Sequence, residues 1–131
     1  MGDLSEHFSR SEFACKGPQN GGCDCNGTFN TVDVELLRIL EAIRSHFDRP
    51  VIITSGCRCL DWNARCGGIR PVNGHGGSQH LYGRAADIVI DGISPEIIAE
   101  LAIQIGAPGV GRYQTFVHLD SRSHVISRWQ G

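Results

Sequence analysis

Two stretches of the chain hold residue types that ligate divalent metals. In Ser78-Gln79-His80-Leu81-Tyr82-Gly83-Arg84-Ala85-Ala86-Asp87, a histidine precedes an aspartate at H-x6-D spacing. Imidazole nitrogen and carboxylate oxygen are both zinc donors. The spacing lets His80 end a loop and Asp87 point inward from a following strand. Gly83 permits a tight turn between them, and Ala85 leaves room beside the site. The second stretch is Phe116-Val117-His118-Leu119-Asp120. Alternate residues of a strand share a face. Phe116, His118 and Asp120 therefore look to one side, into solvent or a cleft, while Val117 and Leu119 suit a core on the other. Either stretch alone also reads as a surface histidine or a half-exposed strand. Two of them in one small domain raise the metal reading.

The surrounding elements must position these residues. Leu36, Leu40, Ile43 and Phe47 recur at helical spacing, with Leu37 widening the stripe, and predict a helix over about 32–47. Thr31 is the expected cap, Asp33 and Glu35 suit the positive end of the dipole, and Pro50 blocks continuation. Val51–Thr54 is β-branched and reads as a strand, 60–65 as a short helix, and 67–78 as a long glycine-rich loop. Ala85–Ile90 is the next strand. Ser94 caps and Pro95 opens a second helix with Ile97, Ile98, Leu101 and Ile105 on its apolar face and Gly106 at its end. Two short strands, near 109–113 and 115–120, close the domain. Residues 1–30 are irregular, with a helical turn near 9–14 anchored by Phe8 and Phe13. The order implies an α+β fold, one small antiparallel sheet flanked by helices, and the candidate metal residues are expected in a cleft on the sheet face. The 131 residues make a single domain, 1–131.

The stretch from Ser78 to Asp87 resembles, position by position, the S-x-H-x-x-G-x-A-x-D signature of the zinc D-Ala-D-Ala carboxypeptidase and peptidoglycan endopeptidase family. L-S-E-H-F-S-R-S-E-F at 4–13, I-T-S-G-C-R-C at 53–59, N-A-R-C-G-G at 63–68 and G-V-G-R-Y-x-x-F-V-H-L-D at 109–120 are similar to its compact, phage-endolysin-like branch. The resemblance implies that His80, Asp87 and His118 bind zinc and leave a fourth position for water. It implies that Arg58 holds a substrate carboxylate through its planar fork, and that Ser78 hydrogen-bonds substrate beside the metal; a surface arginine and a turn-capping serine are the plainer readings. Many relatives carry an acidic residue a few positions before the last ligand, and a His-x-His. Here Arg112, Tyr113, Gln114, Thr115 and Phe116 supply neither. Asp120 is the available carboxylate, either as the general base or as a partner that orients a ligand histidine. Tyr113 and Arg112 are expected at the cleft. His75 reads as a bystander, and His7, His46 and His124 receive no role.

The implied activity is that of a zinc metallopeptidase acting on peptidoglycan stem or cross-link peptides, as a carboxypeptidase or as an endopeptidase. The alternative is a non-catalytic zinc-containing binding module of the same fold. A formal net charge of −2 and scattered arginines give no basic face for nucleic acid. No stretch reaches the roughly 18–20 apolar residues of a membrane span, and a monomer is expected. The sequence MGDLSEHFSRSEF lacks a signal-peptide core. The expectation is synthesis in the cytoplasm, then action at the cell wall or periplasm after release, as in phage or prophage lytic enzymes. The six cysteines form two groups along the chain: Cys15, Cys23 and Cys25, then Cys57, Cys59 and Cys66. Small, partly buried thiols are the reading for most of them; disulfides within each group and a cysteine–zinc site are the alternatives.

Overall fold

The computed structural model describes residues 2–25, 31–73, 76–123 and 125–131. His75 and His124 lie outside them. The leucine-rich stripe forms α1, Val34–Phe47, and buries Leu36, Ile39, Leu40 and Ile43 completely. Each such side chain contributes roughly 1.5–3 kcal/mol by leaving water. The helix starts later than its composition suggested. Asp33, not Thr31, is the cap, because its carboxylate accepts the Leu36 N–H at 3.3 Å.

After α1 come β1 (Ile52–Ser55), α2 (Leu60–Arg65), a 3-10 turn at Gln79–Tyr82, β2 (Ala85–Val89), α3 (Pro95–Ile105), β3 (Gly109–Arg112), β4 (Val117–Asp120) and β5 (Ser127–Gln130). Ser94, Pro95 and Gly106 bound α3 as expected, although Ile97 is half exposed and Ala99 and Ala102 take the buried positions instead. The sheet order is β1-β2-β4-β3-β5. Pairing is antiparallel except between β3 and β5, which run parallel. The fold is therefore α+β with a mostly antiparallel sheet. The final strand β5 corrects the expectation that two strands close the domain. Its alternation of half-buried and exposed residues carries too little apolar signal to stand out.

Ile53, Ala86, Ile88, Val110, Val117 and Leu119 form the sheet's contribution to the core, against α1 and α3. The N-terminal segment closes the core's edge with Phe8 and Phe13, each 1% exposed. Glu41 on α1 fastens this segment: its carboxylate accepts from Ser5 Oγ (2.6 Å) and from the backbone N–H of His7 (2.7 Å), and pairs with His7 Nδ1 (2.6 Å). His7, which the sequence left without a role, thus helps dock the segment. Among the described residues, no helix is long and apolar enough to cross a membrane.

Candidate metal centre

The strand register aligns one row of residues across all five strands: Ser55, Asp87, His118, Gly111 and Trp129. Registered partners share a face. Asp87, His118 and Trp129 of this row line a cleft of about 360 Å³, with Arg58, Ser78, Tyr113, Phe116 and Arg122 among its walls.

His80 enters from the turn Gln79–Tyr82, which Gly83 ends in a left-handed conformation (φ 68°). A methyl there would also overlap the carbonyl of Thr31, so glycine is required twice over. His80 is 2% exposed, Asp87 7% and His118 9%. The carbonyl of Gly56 can only accept, so its 2.6 Å contact makes His80 Nδ1 the protonated nitrogen. The lone pair on Nε2 is left facing Asp87 Oδ1 at 3.3 Å. His118 Nδ1 approaches the same oxygen at 3.1 Å. A tetrahedral zinc with ligand bonds near 2.0–2.1 Å holds its donors about 3.3 Å apart. The three donors, which all lie within 4.8 Å of one another, therefore fit one such ion.

Burial lowers the pKa of His80 against the pull of Asp87, which keeps the imidazole neutral. Burial also works against ionised Asp87, but the hydrogen bond from His118 and the electrostatic pull of the neighbouring histidine outweigh it and hold the carboxyl well below the usual range. Both effects favour the protonation states a metal needs. His118 is raised instead: burial opposes its charge, and Asp120 and Asp87 overcome that opposition.

Asp120 lies on the other side of the His118 ring. Its Oδ2 is 2.7 Å from His118 Nε2, and Arg122 grips both of its oxygens, Nε to Oδ1 at 2.8 Å and Nη2 to Oδ2 at 2.6 Å. Asp120 is fully buried. Arg58 borders the ligands: Nη2 is 3.4 Å from Asp87 Oδ2, Nε donates to Ser55 Oγ at 3.1 Å, and Nη1 to Asn63 Oδ1 at 3.4 Å. Further N–H groups of the guanidinium remain for a ligand. Ser78 lies at the cleft, where its Oγ caps the turn by accepting the His80 N–H at 3.3 Å. Tyr113 lines the cleft, stacked on Phe116 with ring centres 4.4 Å apart. Arg112 turns away to Glu96, at 3.7 Å.

Several residues of the site carry no signal of their own in the sequence. Trp129 packs against His118 with ring centres 5.1 Å apart and donates to Tyr113 Oη at 3.0 Å. A methyl on Gly111 would overlap the Trp129 indole, and one on Gly109 the Asp120 carboxylate. The G-x-G alternation of β3 was the available signal, since it clears two successive positions on one face.

A model of the family described as Peptidase M15 matches residues 6–120. The chain belongs to the peptidase M15 family. The resemblance carried by Ser78–Asp87 is thereby borne out, and all three residues of the metal centre fall inside the matched stretch. Arg122 and Trp129 of this M15 chain lie beyond it. The chain is similar to the protein named peptidoglycan L,D-endopeptidase MepK of Escherichia coli strain K12, at 37% identity over 79 residues, covering 56% of this chain and 41% of that protein. The protein of the same name from Shigella flexneri matches to the same extent. The match thus takes in about two-fifths of the length of these relatives.

Proposed function

We propose that the chain is a zinc metallopeptidase that hydrolyses a peptide bond in peptidoglycan stem or cross-link peptides. The observation that carries this reading is the convergence of His80 Nε2, Asp87 Oδ1 and His118 Nδ1 on the floor of an open cleft beside Arg58. Two nitrogens and one oxygen make a donor set typical of catalytic zinc, which keeps a further position open. When bound, zinc supplies an activated water and polarises the scissile carbonyl.

The chain's own groups prepare that chemistry. Gly56 fixes the tautomer and plane of His80. Asp120 does the same for His118 by accepting its Nε2–H, and Arg122 holds Asp120 in place. Of its two candidate roles, orienting partner therefore has the geometric support, since a base must reach the attacking water and Asp120 is sealed behind the ring. Arg58 is suited to bind a peptide carboxylate while steadying Asp87. The hydroxyl hydrogen of Ser78 is suited to a substrate carbonyl, and the stacked Tyr113 and Phe116 to the apolar side of a peptide.

The names of the relatives support an endopeptidase over a carboxypeptidase. One observation favours a non-catalytic zinc module: besides Asp87, no carboxylate is among the described residues lining the cleft. Mass spectrometry of muropeptides treated with zinc-loaded protein separates these readings. Division of cross-linked dimers marks an endopeptidase, and loss of one terminal alanine a carboxypeptidase. Either activity should stop with a chelator and return with zinc. Intact muropeptides after exposure to fully loaded protein would identify the binding module.

A further inference from the structure

Four cysteines that the sequence divided between two groups come together. Cys15, Cys23, Cys25 and Cys59 place their sulfurs within 4.8 Å of one another. The separations are 3.9 Å for Cys15–Cys23, 3.9 Å for Cys15–Cys59 and 3.5 Å for Cys23–Cys25. A disulfide needs about 2.05 Å. A tetrahedral zinc with Zn–S bonds of about 2.3 Å puts its sulfurs about 3.8 Å apart, which is the spacing seen here. From this geometry we infer that the chain carries a second metal site, a closed four-thiolate zinc site formed by Cys15, Cys23, Cys25 and Cys59.

The surroundings are built for such a cluster. The Trp62 N–H lies 3.5 Å from Cys59 Sγ. An N–H aimed at sulfur is the kind of contact that supports a metal-bound cysteine. A methyl on Gly17 would overlap Cys23 Sγ, and one on Gly22 the Trp62 ring, so the glycines of this irregular segment let it wrap the site closely. The other two cysteines stand apart. Cys57 is a core thiol that donates to the Thr31 carbonyl at 2.6 Å, and Cys66 is exposed at the cleft.

Four protein ligands leave no open position, so the role is structural. Binding would release the thiol protons to solvent and fasten the segment around 15–25 to the start of α2. Cys59 follows Arg58, whose backbone N–H bonds to the His80 carbonyl at 3.1 Å. The ion therefore braces the wall of the cleft that carries Arg58. A segment with few regular hydrogen bonds and little apolar area gains most from such a clamp.

Elemental analysis of protein produced with zinc and purified without chelator tests the site. Two zinc ions per chain are expected in the wild type and in Cys66→Ser, and one in Cys23→Ser. Because Cys23→Ser can fail to fold, the wild type is also loaded with cobalt(II). Intense near-ultraviolet thiolate-to-cobalt charge-transfer bands are expected, since the His80, Asp87 and His118 site has no sulfur. The proposal is overturned if Cys23→Ser keeps all the wild-type zinc, if those bands are absent, or if the intact mass shows two disulfides. Iron in place of zinc would overturn the choice of metal.

Discussion

His118 Nε2 sits 2.7 Å from Asp120 Oδ2, on the side of the ring away from Asp87. The imidazole is thus divided between two partners: one nitrogen faces the metal donors, the other is held by a buried carboxylate. Asp120→Asn should weaken zinc binding at the histidine site by roughly 10–100-fold, the usual effect of removing a partner that orients a ligand. If Asp120 were the base, zinc affinity would hold and cleavage alone would fall. Zinc affinity and turnover measured on the same variant distinguish these outcomes.

Gly109 and Gly111 clear the floor for Asp120 and Trp129. Gly109→Ala forces a methyl against a buried carboxylate that two residues already hold. A loss of about 1–3 kcal/mol in stability is expected, together with weaker zinc binding, because overpacking displaces the fixed group. Urea denaturation checks the first effect. Wild-type stability in Gly109→Ala would show that Asp120 is free to move.

Arg58→Lys keeps the charge beside Asp87 and loses the fork. Zinc content should be unchanged while kcat/KM falls. Unaltered kinetics in this variant would remove Arg58 from substrate binding.

Glu41 accepts three bonds from the N-terminal segment. Burial works against its ionisation, but the bonds from Ser5 and His7 prevail and its pKa is lowered. A lowered carboxylate contributes stability that is fully present above its unfolded pKa, about 4.3, and is lost as pH falls through the folded value. Glu41→Gln should therefore be about 1–2 kcal/mol less stable at neutral pH, with the gap closing in acid below about pH 4. A gap that persists in acid would mean the bonds do not depend on the charge.

The clustering of His80, Asp87 and His118 as a candidate metal centre was legible because each half of it is local. His80 and Asp87 belong to one contiguous signature, and strand alternation alone puts His118 and Asp120 opposite Val117 and Leu119. The core stripe of α1 was legible for the same reason, whereas in α3 Ile98 is buried as expected but Ile97 is half exposed and Ala99 and Ala102 take its place. What stayed hidden depends on chain-distant pairing. Trp129 reaches His118 only because β5 joins β3 in parallel, and Cys59 meets Cys15, Cys23 and Cys25 only because the N-terminal segment folds back over α2. The Glu41 hub is of this kind too. The misplaced cap of α1 has a different origin: Thr31 and Asp33 are both capping residue types two positions apart, and only the backbone path decides between them.

Metal-dependent cleavage at the histidine site is tested most directly by comparing wild-type protein with His118→Ala on purified peptidoglycan, with products identified by mass spectrometry and zinc counted in both samples. New free stem peptides or separated cross-links are expected with the wild type, and one zinc fewer and no cleavage with His118→Ala. Equal cleavage by both proteins, or an uncut substrate with zinc-replete wild type, would contradict a zinc metallopeptidase centred on His80, Asp87 and His118.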